Sequence, residues 1–541
     1  MSQSGYPDFQ THLATLESKN LLTRIERPID KNTQLHPLVR WQFQGGIPES
    51  ERRAFLFTNV TDGDGRKYDM PVAVGALAAS PEIYAIGMGV PLEEIGPAWL
   101  NAIANPIEPV VVDSAACQQV VIEGDGLSEP GGGLHLLPVP VSTPGYDAAP
   151  YLVATLVVTK DPETGIANMG TYRAALKAPD RLGVRMATRI GGAGGYLHWQ
   201  KYQARGESMP IAIVVGAPPA IAITGPQKLA VDQDEMAVAG GLLGQPVRIV
   251  PARTVDLMIP ADAEIVIEGF IDTEYLEPEA PFGESHGHVA PEEFNMSMRV
   301  TAITHKQDAV FASILSQVTP SESSVLKKVA YEPLFLSHLR DELKVEGILR
   351  VSMHEPLTNL RRVIFLQFED DTPREEIWRG LKGAASLQAQ CGKIVIAVSS
   401  DIDPTNTDAI FWSLAYRTNP VEDLEITTDR SMGHGPKVEA GAKDSGFLID
   451  ATRKTTLPPL ALPTRPYMEA AREIWEELGL PKLTPQSPWH GYSMGDWTEG
   501  WERFAQNAAA GRWVENGIAT FERRRSGIKP ETPVRRVEDD A

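Results

Sequence analysis

The feature that most constrains the fold is a series of short β-branched segments between about residues 150 and 320. Glycine or proline turns separate these segments, which read YLVATLVVT, IAIVVG, AIAIT, PVRIVPA, AEIVIEGFI and MSMRVTAIT. Strands this short and this frequent are typical of a barrel-like, largely antiparallel domain. The segment DQDEMAVAGGLLG interrupts the series, and its apolar spacing with acids at the start predicts a helix.

The regions on either side of this β-rich stretch have different patterns. Phe9, Leu13, Leu16 and Leu21 recur at near-helical spacing and predict an amphipathic helix. Beyond residue 325, helical patterns alternate with the strand patterns RRVIFLQF and KIVIAVS, which indicates α/β layering. We therefore predict a multidomain α+β or α/β protein. The predicted domains are an N-terminal α/β domain at 1–115, a β-rich domain at 116–325, a C-terminal α/β domain at 326–455 and a helical tail at 456–541.

Composition disfavours several classes of partner. The 541-residue chain has a formal net charge of −21, whereas nucleic acids and anionic membranes are bound by basic faces. Its two cysteines, Cys117 and Cys391, are too few for a disulfide framework and indicate a reducing compartment. The start of the chain lacks a signal-peptide pattern, and no window reaches the ~18 apolar residues of a membrane span. We expect a cytoplasmic protein that binds no nucleic acid and has no membrane span.

The stretch EPEAPFGESHGHVAP, residues 277–291, crowds three glutamates together. Carboxylates this close repel, and each tends to raise the pKa of its neighbours. One interpretation is a turn with solvated acids, which suits Glu277. The other joins Glu279 and Glu284 to Arg173 in an acid–arginine–acid network. In that network one carboxylate stays charged and the other serves as a proton donor near neutral pH. The residues alone leave both interpretations open.

Asn168 and Glu235 form a second candidate site. Asn168 lies in NMGTYRAALK, where an amide oxygen suited to a hard metal precedes Arg173, a planar donor for carboxylate or phosphate. Glu235 opens the predicted helix and would join Asn168 on a magnesium or manganese ion. The alternatives are a turn asparagine with a surface arginine, and an acid placed by the helix macrodipole. The GGAGG run at 191–195 fits no nucleotide-binding motif.

Five motifs, taken together, resemble those of the UbiD-like decarboxylases, which use prenylated FMN. The motifs are DPETGIANMGTYR, DQDEMAVAGGLLGQPVRIV, EAPFGESHGH, GKIVIAVSSDIDPTNTDAIFWSLAYR and DSGFLIDATRK, in the family's order. The resemblance implies a carboxy-lyase that reversibly decarboxylates an aromatic, heteroaromatic or α,β-unsaturated acid through a covalent adduct with prenylated FMN. It also implies that 116–325 is a flavin-binding split β-barrel, flanked by N-terminal α/β elements and a C-terminal α/β domain.

The same resemblance implies roles for individual residues. The catalytic network would consist of Arg173, Glu279 and Glu284, with Glu284 as the proton donor. Asn168 and Glu235 would bind a divalent metal, manganese or magnesium, and potassium is a further candidate ion. The positions implied for cofactor binding are Asn168, Thr171, Tyr172, Arg173, Arg185, Met186, Ala187, Ile190, Gly191, Glu235 and Lys393.

The chain departs from the ferulic-acid-type members at one metal position. Those members have a histidine ligand where this chain has Gly191. The 4-hydroxybenzoate-type members also lack this histidine, so we expect two protein ligands to the metal. His198 is an alternative ligand, although a histidine beside Trp199 is more often structural. The family commonly has tyrosine at the position of His288.

The substrate is predicted less sharply than the reaction. Lys327 and His434 are candidates for the substrate pocket, and His434 favours a hydroxylated aromatic acid or an aromatic dicarboxylate. For Lys327 the alternative is a solvated helix face. The implied partners are the carboxylic acid, CO2 and a flavin prenyltransferase that supplies the cofactor, with assembly into a homodimer or homohexamer. Two other functions stay open, a metal-assisted hydrolase without flavin and a noncatalytic flavin-binding paralogue.

Overall fold

The computed structural model describes residues 6–186, 193–227, 229, 233–279, 281–290, 292–388, 391–430, 443–455, 457–483 and 497–524. The chain divides into two compact units, of which the first comprises Met1–Ala397 and Asn419–Asp450 and the second Val398–Thr418 and Ala451–Ala541. Among the described helices, none combines the length and apolar character that crossing a membrane requires.

The N-terminal region of the first unit alternates helices with short strands. Its elements are α1 (Phe9–Ser18), β1 (Leu22–Ile25), β2 (Ile29–Asp30), α2 (Leu35–Gln44), β3 (Ala54–Phe57), β4 (Val60–Thr61), β5 (Lys67–Tyr68), β6 (Val72–Val74), α3 (Pro81–Met88) and α4 (Ile95–Ala104). The Asp8 side chain caps α1 by accepting from the Thr11 amide. The helix buries Phe9, Leu13 and Leu16, as the apolar spacing predicts.

The β-rich region supplies most strands of the first unit. Its elements are β7 (Val110–Val111), β8 (Val120–Glu123), α5 (Asp125–Ser128), β9 (Tyr151–Leu152), β10 (Thr155–Lys160), β11 (Ala167–Gly170), β12 (Ala174–Ala178), β13 (Arg181–Val184), α6 (Gly194–Arg205), β14 (Met209–Val215), α7 (Pro219–Ala222), α8 (Glu235–Leu243), β15 (Arg248–Pro251), β16 (Met258–Pro260), β17 (Ile265–Glu279), β18 (Phe282–Gly283), β19 (Val289–Ala290), β20 (Glu293–His305) and β21 (Phe311–Ser313). The predicted helix DQDEMAVAGGLLG is α8. The predicted strand AIAIT is wrong, because Pro219 opens the helix α7 there.

The main sheet is antiparallel, as predicted, and its strand order is β11-β10-β14-β17-β20-β13-β12-β9, with β8 also on β20. β21 instead pairs with β6 and extends the N-terminal sheet. The prediction of a mixed, multidomain α and β fold is confirmed. The pairings of the described residues form an open path, so the split barrel stays a prediction, as do the four domain boundaries.

The register of β17 against β20 positions acidic side chains at one end of the main sheet. Glu279 pairs with Glu293, and Glu277 pairs with Asn295. Side chains two apart on a strand share a face, so these four side chains project from the same face of the two strands. The end of the β17–β20 pairing therefore gathers four polar side chains on one face of the sheet.

An irregularity divides β17 into two parts. Ile271 pairs with Met298 and Leu276 pairs with Met296, so β17 has more residues between these pairs than β20 has. The extra length bulges from the sheet. Trp199 of α6 donates its indole N–H to the Asp272 carbonyl within this bulge, at 3.0 Å. The bulge thus holds α6 in place beside the strand that carries Glu279.

The C-terminal region shows the predicted alternation of helices and strands. Its elements are α9 (Glu322–Ser337), β22 (Ile348–Met353), β23 (Val363–Phe368), α10 (Arg374–Ser386), β24 (Ile394–Ser399), α11 (Thr407–Arg417), α12 (Pro420–Asp423), β25 (Leu424–Arg430), β26 (Asp444–Asp450), α13 (Arg465–Glu477), α14 (Glu499–Ala509) and α15 (Trp513–Glu522). Its sheet has the order β22-β23-β24-β26-β25. In the second unit, α13, α14 and α15 bury none of their residues.

Candidate active site

The first unit contains a cavity of about 950 Å³, lined by residues of β10, β11, α6, α8 and α9. This volume is near the upper end of the ~300–1,000 Å³ typical of small-molecule and cofactor sites. The predicted site residues that line it are Asn168, Thr171, Tyr172, Arg173, Arg185, Glu235, Glu284 and Lys327. One cavity therefore connects the predicted metal ligands with the predicted proton donor.

Arg173 lies between the two predicted carboxylates. Its Nε and Nη2 donate to the two oxygens of Glu279 at 2.7 and 2.8 Å, and its Nη1 donates to Glu284 Oε1 at 2.5 Å. Glu279 and Glu284 are buried, and the Arg173 side chain is 11 % exposed. The acid–arginine–acid arrangement is therefore present, and the interpretation of these two glutamates as solvated turn residues is wrong.

The surroundings of Arg173 favour its charged form. Burial alone would lower the pKa of Arg173, but the hydrogen bonds and charges of Glu279 and Glu284 outweigh burial and raise this pKa above its usual value. The Phe282 ring lies over the guanidinium, with its centroid 4.5 Å from Cζ. A cation over an aromatic face is stabilised electrostatically. Tyr151 packs against Phe282 at 4.2 Å between ring centroids.

A second arginine and two further polar groups extend the network. Arg185 has Nη1 3.3 Å from Glu284 Oε1 and Nη2 3.0 Å from Glu293 Oε2. Asn295 donates to Glu279 Oε2 at 3.0 Å. The cluster thus holds three carboxylates against two guanidinium groups.

Glu284 sits in the loop of a small hairpin between β18 and β19. Its amide donates to the His288 carbonyl at 2.9 Å, and Gly287 takes the positive φ of 88° that closes the turn. His286 accepts from the His288 amide at 3.2 Å, which places both histidines within the turn. Glu277, expected to be solvated, is instead 22 % exposed and pairs with Arg181 at 3.1 Å.

The predicted metal ligands lie at another part of the cavity wall. Asn168 is on β11, and Glu235 is buried at the first residue of α8. Glu235 Oε2 accepts from the Met169 amide at 2.9 Å, and burial raises the pKa of Glu235 to about 7. A Cβ on Gly194 would lie 1.9 Å from Asn168 Oδ1, so only glycine fits there. A bound cation would offset the cost of burying the ionised Glu235 carboxylate. The oxygens of Asn168 and Glu235 are donors that suit a hard metal.

Comparison with known families gives a match along most of the chain. Residues 13–103, 109–318 and 324–451 match, in that order, the 3-octaprenyl-4-hydroxybenzoate carboxy-lyase N-terminal domain, Rift-related domain and C-terminal domain. The chain belongs to the UbiD family. The predictions of the family and of a carboxy-lyase are thereby confirmed.

Solved structures of UbiD-class enzymes share the fold. An evolved dimeric form of HmfF from Pelotomaculum thermopropionicum, in complex with prFMN, is 27% identical, covers 84% of this chain and 97% of its own, and superposes with a TM-score of 0.72. Vanillic acid decarboxylase from Sedimentibacter hydroxybenzoicus is 23% identical over 87% of this chain and 99% of its own (TM-score 0.71). A 3,4-dihydroxybenzoic acid decarboxylase from Enterobacter cloacae is 22% identical over 86% and 99% (TM-score 0.71).

The remaining residues that the UbiD resemblance implies lie in several places. Met186 is buried beside Gly195, and Tyr172 accepts from the Gly195 amide at 3.3 Å. Lys393 pairs with Asp444 at 2.5 Å and does not line the cavity, so its phosphate contact stays a prediction. Ala187, Ile190, Gly191 and His434 lie outside the described residues.

His198 lines the cavity of this UbiD member but has another partner. Its Nδ1 is 2.9 Å from the Thr159 hydroxyl, and burial lowers its pKa. A neutral ring bonded to a strand hydroxyl fits the structural interpretation of this residue. Among the described residues, no cluster of three or more histidine, cysteine or acidic side chains could hold a metal. Asn168 with Glu235 remains the metal site to be tested.

Several residues of the site were not predicted from the sequence. The ring of Phe282 covers Arg173, and no motif in the sequence indicates this contact. Asn295 and Arg361 were not predicted, because each lies in or beside a strand with no motif around it. The alternation of β20 is the signal for Asn295, since it faces the same side as Glu293. For Arg361 we find no sequence signal.

Proposed function

We propose that this chain catalyses the reversible, non-oxidative decarboxylation of an aromatic, heteroaromatic or α,β-unsaturated carboxylic acid with prenylated FMN as cofactor. The observation that carries the proposal is Arg173 held between buried Glu279 and Glu284 at the wall of a cavity of about 950 Å³. Family membership and the prFMN bound in the HmfF structure support it. We also propose that residues 116–325 form the flavin-binding split β-barrel that the resemblance implies.

Arg173 binds the substrate carboxylate in this proposal. Its guanidinium is planar and permanently charged, and the fork to Glu279 fixes its orientation before substrate arrives. Glu279 is therefore a positioning residue. Phe282 covers one side of the guanidinium and limits the access of water to it. Binding the carboxylate in one orientation points the bond to be broken into the cavity.

Glu284 delivers the proton that replaces CO2. It is buried, lines the cavity and has Arg173 and Arg185 within 3.3 Å of Oε1. A donor held at the cavity wall transfers its proton to carbon without help from bulk water, and in the carboxylation direction it takes the proton back.

The cavity has the donors that the cofactor and its metal need. Prenylated FMN supplies the reversible covalent capture of the acid and the storage of the electrons left when CO2 departs. Asn168 and Glu235 would hold manganese or magnesium near the phosphate, and Thr171, Tyr172 and Arg185 would line the flavin. We propose that a flavin prenyltransferase supplies the cofactor and that the enzyme is a cytoplasmic homodimer or homohexamer.

The experiment that tests the proposal is co-expression with a flavin prenyltransferase, followed by mass and absorption measurements and a CO2-release screen. We expect the mass of prenylated FMN, a near-ultraviolet flavin band and CO2 from at least one aromatic or unsaturated acid. A protein that carries the cofactor but releases no CO2 from any acid, and incorporates none in reverse, would be the noncatalytic paralogue. Hydrolysis by metal-loaded, flavin-free protein would favour the hydrolase.

A further inference from the structure

The cavity wall carries two cations that the decarboxylation network does not use. Lys327 lies on α9, and Arg361 lies just before β23. Both side chains line the cavity. The solvated helix face considered for Lys327 is therefore wrong, because its side chain is enclosed by the cavity instead of lying on an open surface. The surrounding wall is mostly apolar, with Ile314 and Leu326 among its residues.

Neither cation has a carboxylate partner within ion-pair distance among the described residues. Arg361 Nη2 approaches the Tyr331 hydroxyl at 3.4 Å, and its Cζ lies 5.7 Å from the Tyr331 ring centroid. Arg361 has five N–H donors, so one hydroxyl leaves most of them available. Lys327 has neither a hydrogen bond nor an ion pair within the described part of the chain. The nearest acid that acts on it is Glu284, which Arg173 and Arg185 already bind.

Two enclosed cations without a counter-charge are costly, because each has lost part of its hydration. The chain does not lack acids, since it has 71 acidic and 50 basic residues. The adjacent Lys328 shows the usual arrangement, with Glu49 and Glu355 each 4.0 Å from its ammonium. An anion that enters the cavity would supply the charge that the described residues do not.

We propose that Lys327 and Arg361 bind a second carboxylate of the substrate, so that the enzyme acts on an aromatic or unsaturated dicarboxylic acid. This inference rests on the proposed decarboxylase function, in which Arg173 binds the carboxylate that leaves. Glu284 then lies between the two anion sites, next to the carbon that it protonates. The apolar residues Ile314 and Leu326 contact the ring or chain that joins the two carboxylates.

The protonation of Lys327 is also consistent with a bound carboxylate. Burial, and after it the charge of Arg361, lower the pKa of Lys327 to about 7, whereas Glu284 and Cys391 oppose the change. Lys327 therefore interacts electrostatically with both Glu284 and Arg361, which line the same cavity. A bound carboxylate would restore the ammonium form and would satisfy Arg361 at the same time.

The test compares acids that differ by one carboxylate on the same skeleton. The holoenzyme from co-expression with a flavin prenyltransferase is titrated by calorimetry with the benzene dicarboxylates, benzoate and 4-hydroxybenzoate, and with muconate and sorbate. CO2 release is measured for the same acids. We expect at least one dicarboxylate to bind more than about tenfold tighter than its monocarboxylate, which is the minimum for a charge-assisted contact.

Variants separate the second anion site from the first. Arg361→Gln and Lys327→Met should each weaken dicarboxylate binding by about tenfold to a hundredfold and leave monocarboxylate binding unchanged. Lys328→Met is the matched control on the same helix, and it should leave the dicarboxylate preference intact. Thermal melting will show whether Arg361→Gln folds. If it does not, Arg361→Lys takes its place; this variant keeps the charge and should retain only part of the dicarboxylate preference.

The outcomes distinguish this inference from the function on which it rests. The second anion site would be overturned if mono- and dicarboxylates bound equally on every skeleton, or if the variants lost affinity for both equally. CO2 release in the same experiment would still support the proposed decarboxylase function. Preference for 4-hydroxybenzoate over every dicarboxylate would also overturn it, in favour of a phenol. Selective dicarboxylate binding without any CO2 release would keep the anion site and overturn the decarboxylase.

Discussion

Arg173 and Glu279 are 106 positions apart in the sequence and form a two-point ion pair, with Nε to Oε1 at 2.7 Å and Nη2 to Oε2 at 2.8 Å. This fork fixes the plane of the guanidinium, because rotation would break one of the two bonds. The edge that remains, Nη1, faces Glu284. Arg173 thus holds the two carboxylates in different ways, Glu279 by two bonds and Glu284 through Nη1 alone.

Glu284→Gln tests the role of Glu284 as the proton donor. Glutamine has the same shape and still accepts from Arg173, but it cannot deliver a proton. We expect kcat to fall by about 10²- to 10⁴-fold with much less change in substrate binding, as is typical for loss of a general acid. Steady-state kinetics, with cofactor content verified by absorption, checks this. Glu277→Gln, which disturbs the pairs with Arg181 and Lys177 outside the cavity, is the matched control and should stay within about fivefold. Turnover near wild type for Glu284→Gln would reject Glu284 as the donor.

Arg173→Lys tests the fork itself. Lysine keeps the charge but offers a point donor that cannot bridge both oxygens of Glu279 and reach Glu284. We expect kcat/KM to fall by at least about a hundredfold, because charge-assisted bonds worth ~1.5–3 kcal/mol each are lost. The matched control is Arg181→Lys, whose side chain is 42 % exposed. Equal effects of the two substitutions would show that charge alone, without orientation, is what the site needs.

Gly194→Ala tests the metal site. The added Cβ would lie 1.9 Å from Asn168 Oδ1, so Asn168 must move or α6 must shift. We expect bound manganese per chain to fall sharply in metal analysis of the dialysed protein, with a smaller change in melting temperature. Gly63→Ala is the control, since the nearest atom to its Cβ would be Asp30 Oδ2 at 3.9 Å. Full metal retention in Gly194→Ala would argue against Asn168 as a ligand.

The pH dependence of dicarboxylate binding follows from Lys327, whose pKa burial lowers to about 7. Arg361, Glu284 and Cys391 are the charged or titratable groups that act on it. Below pH 7 the ammonium is already present, whereas above pH 7 binding must take up a proton. The ratio of dicarboxylate to monocarboxylate affinity should therefore be constant well below pH 7 and fall by up to about tenfold per pH unit above it.

Calorimetry across pH measures this ratio, and the use of a ratio cancels titrations that affect both acids alike. Lys327→Met should give a ratio that does not change with pH. Lys328→Met should reproduce the wild-type curve, because its ammonium lies near Glu49 and Glu355 instead of the cavity. A ratio that rises with pH in the wild type would contradict the role of Lys327.

Local pattern predicted the elements well and the contacts between them unevenly. Period and turn residues located α8 and the antiparallel strands, but AIAIT failed because Pro219 starts a helix whatever the β-propensity that follows. Arg173, Glu279 and Glu284 were brought together by motif resemblance, not by spacing. The ring of Phe282 over Arg173 depends on how the β18–β19 hairpin folds back, and no local signal in the sequence carries that information.

The paired end of β17, from Leu276 to Glu279, fixes how far the Glu279 carboxylate lies from the bulge. Between Leu276 and Glu279 each residue pairs in turn with β20, so one deletion there would turn the carboxylate to the opposite face. Two deletions would restore the face but withdraw the carboxylate by about 6.8 Å, beyond the reach of Arg173. The stretch between Ile271 and Leu276 is already irregular and can absorb a change of length. Natural or engineered length variation in this strand should therefore collect before Leu276, and the four residues Leu276–Glu279 should tolerate substitutions but neither insertions nor deletions.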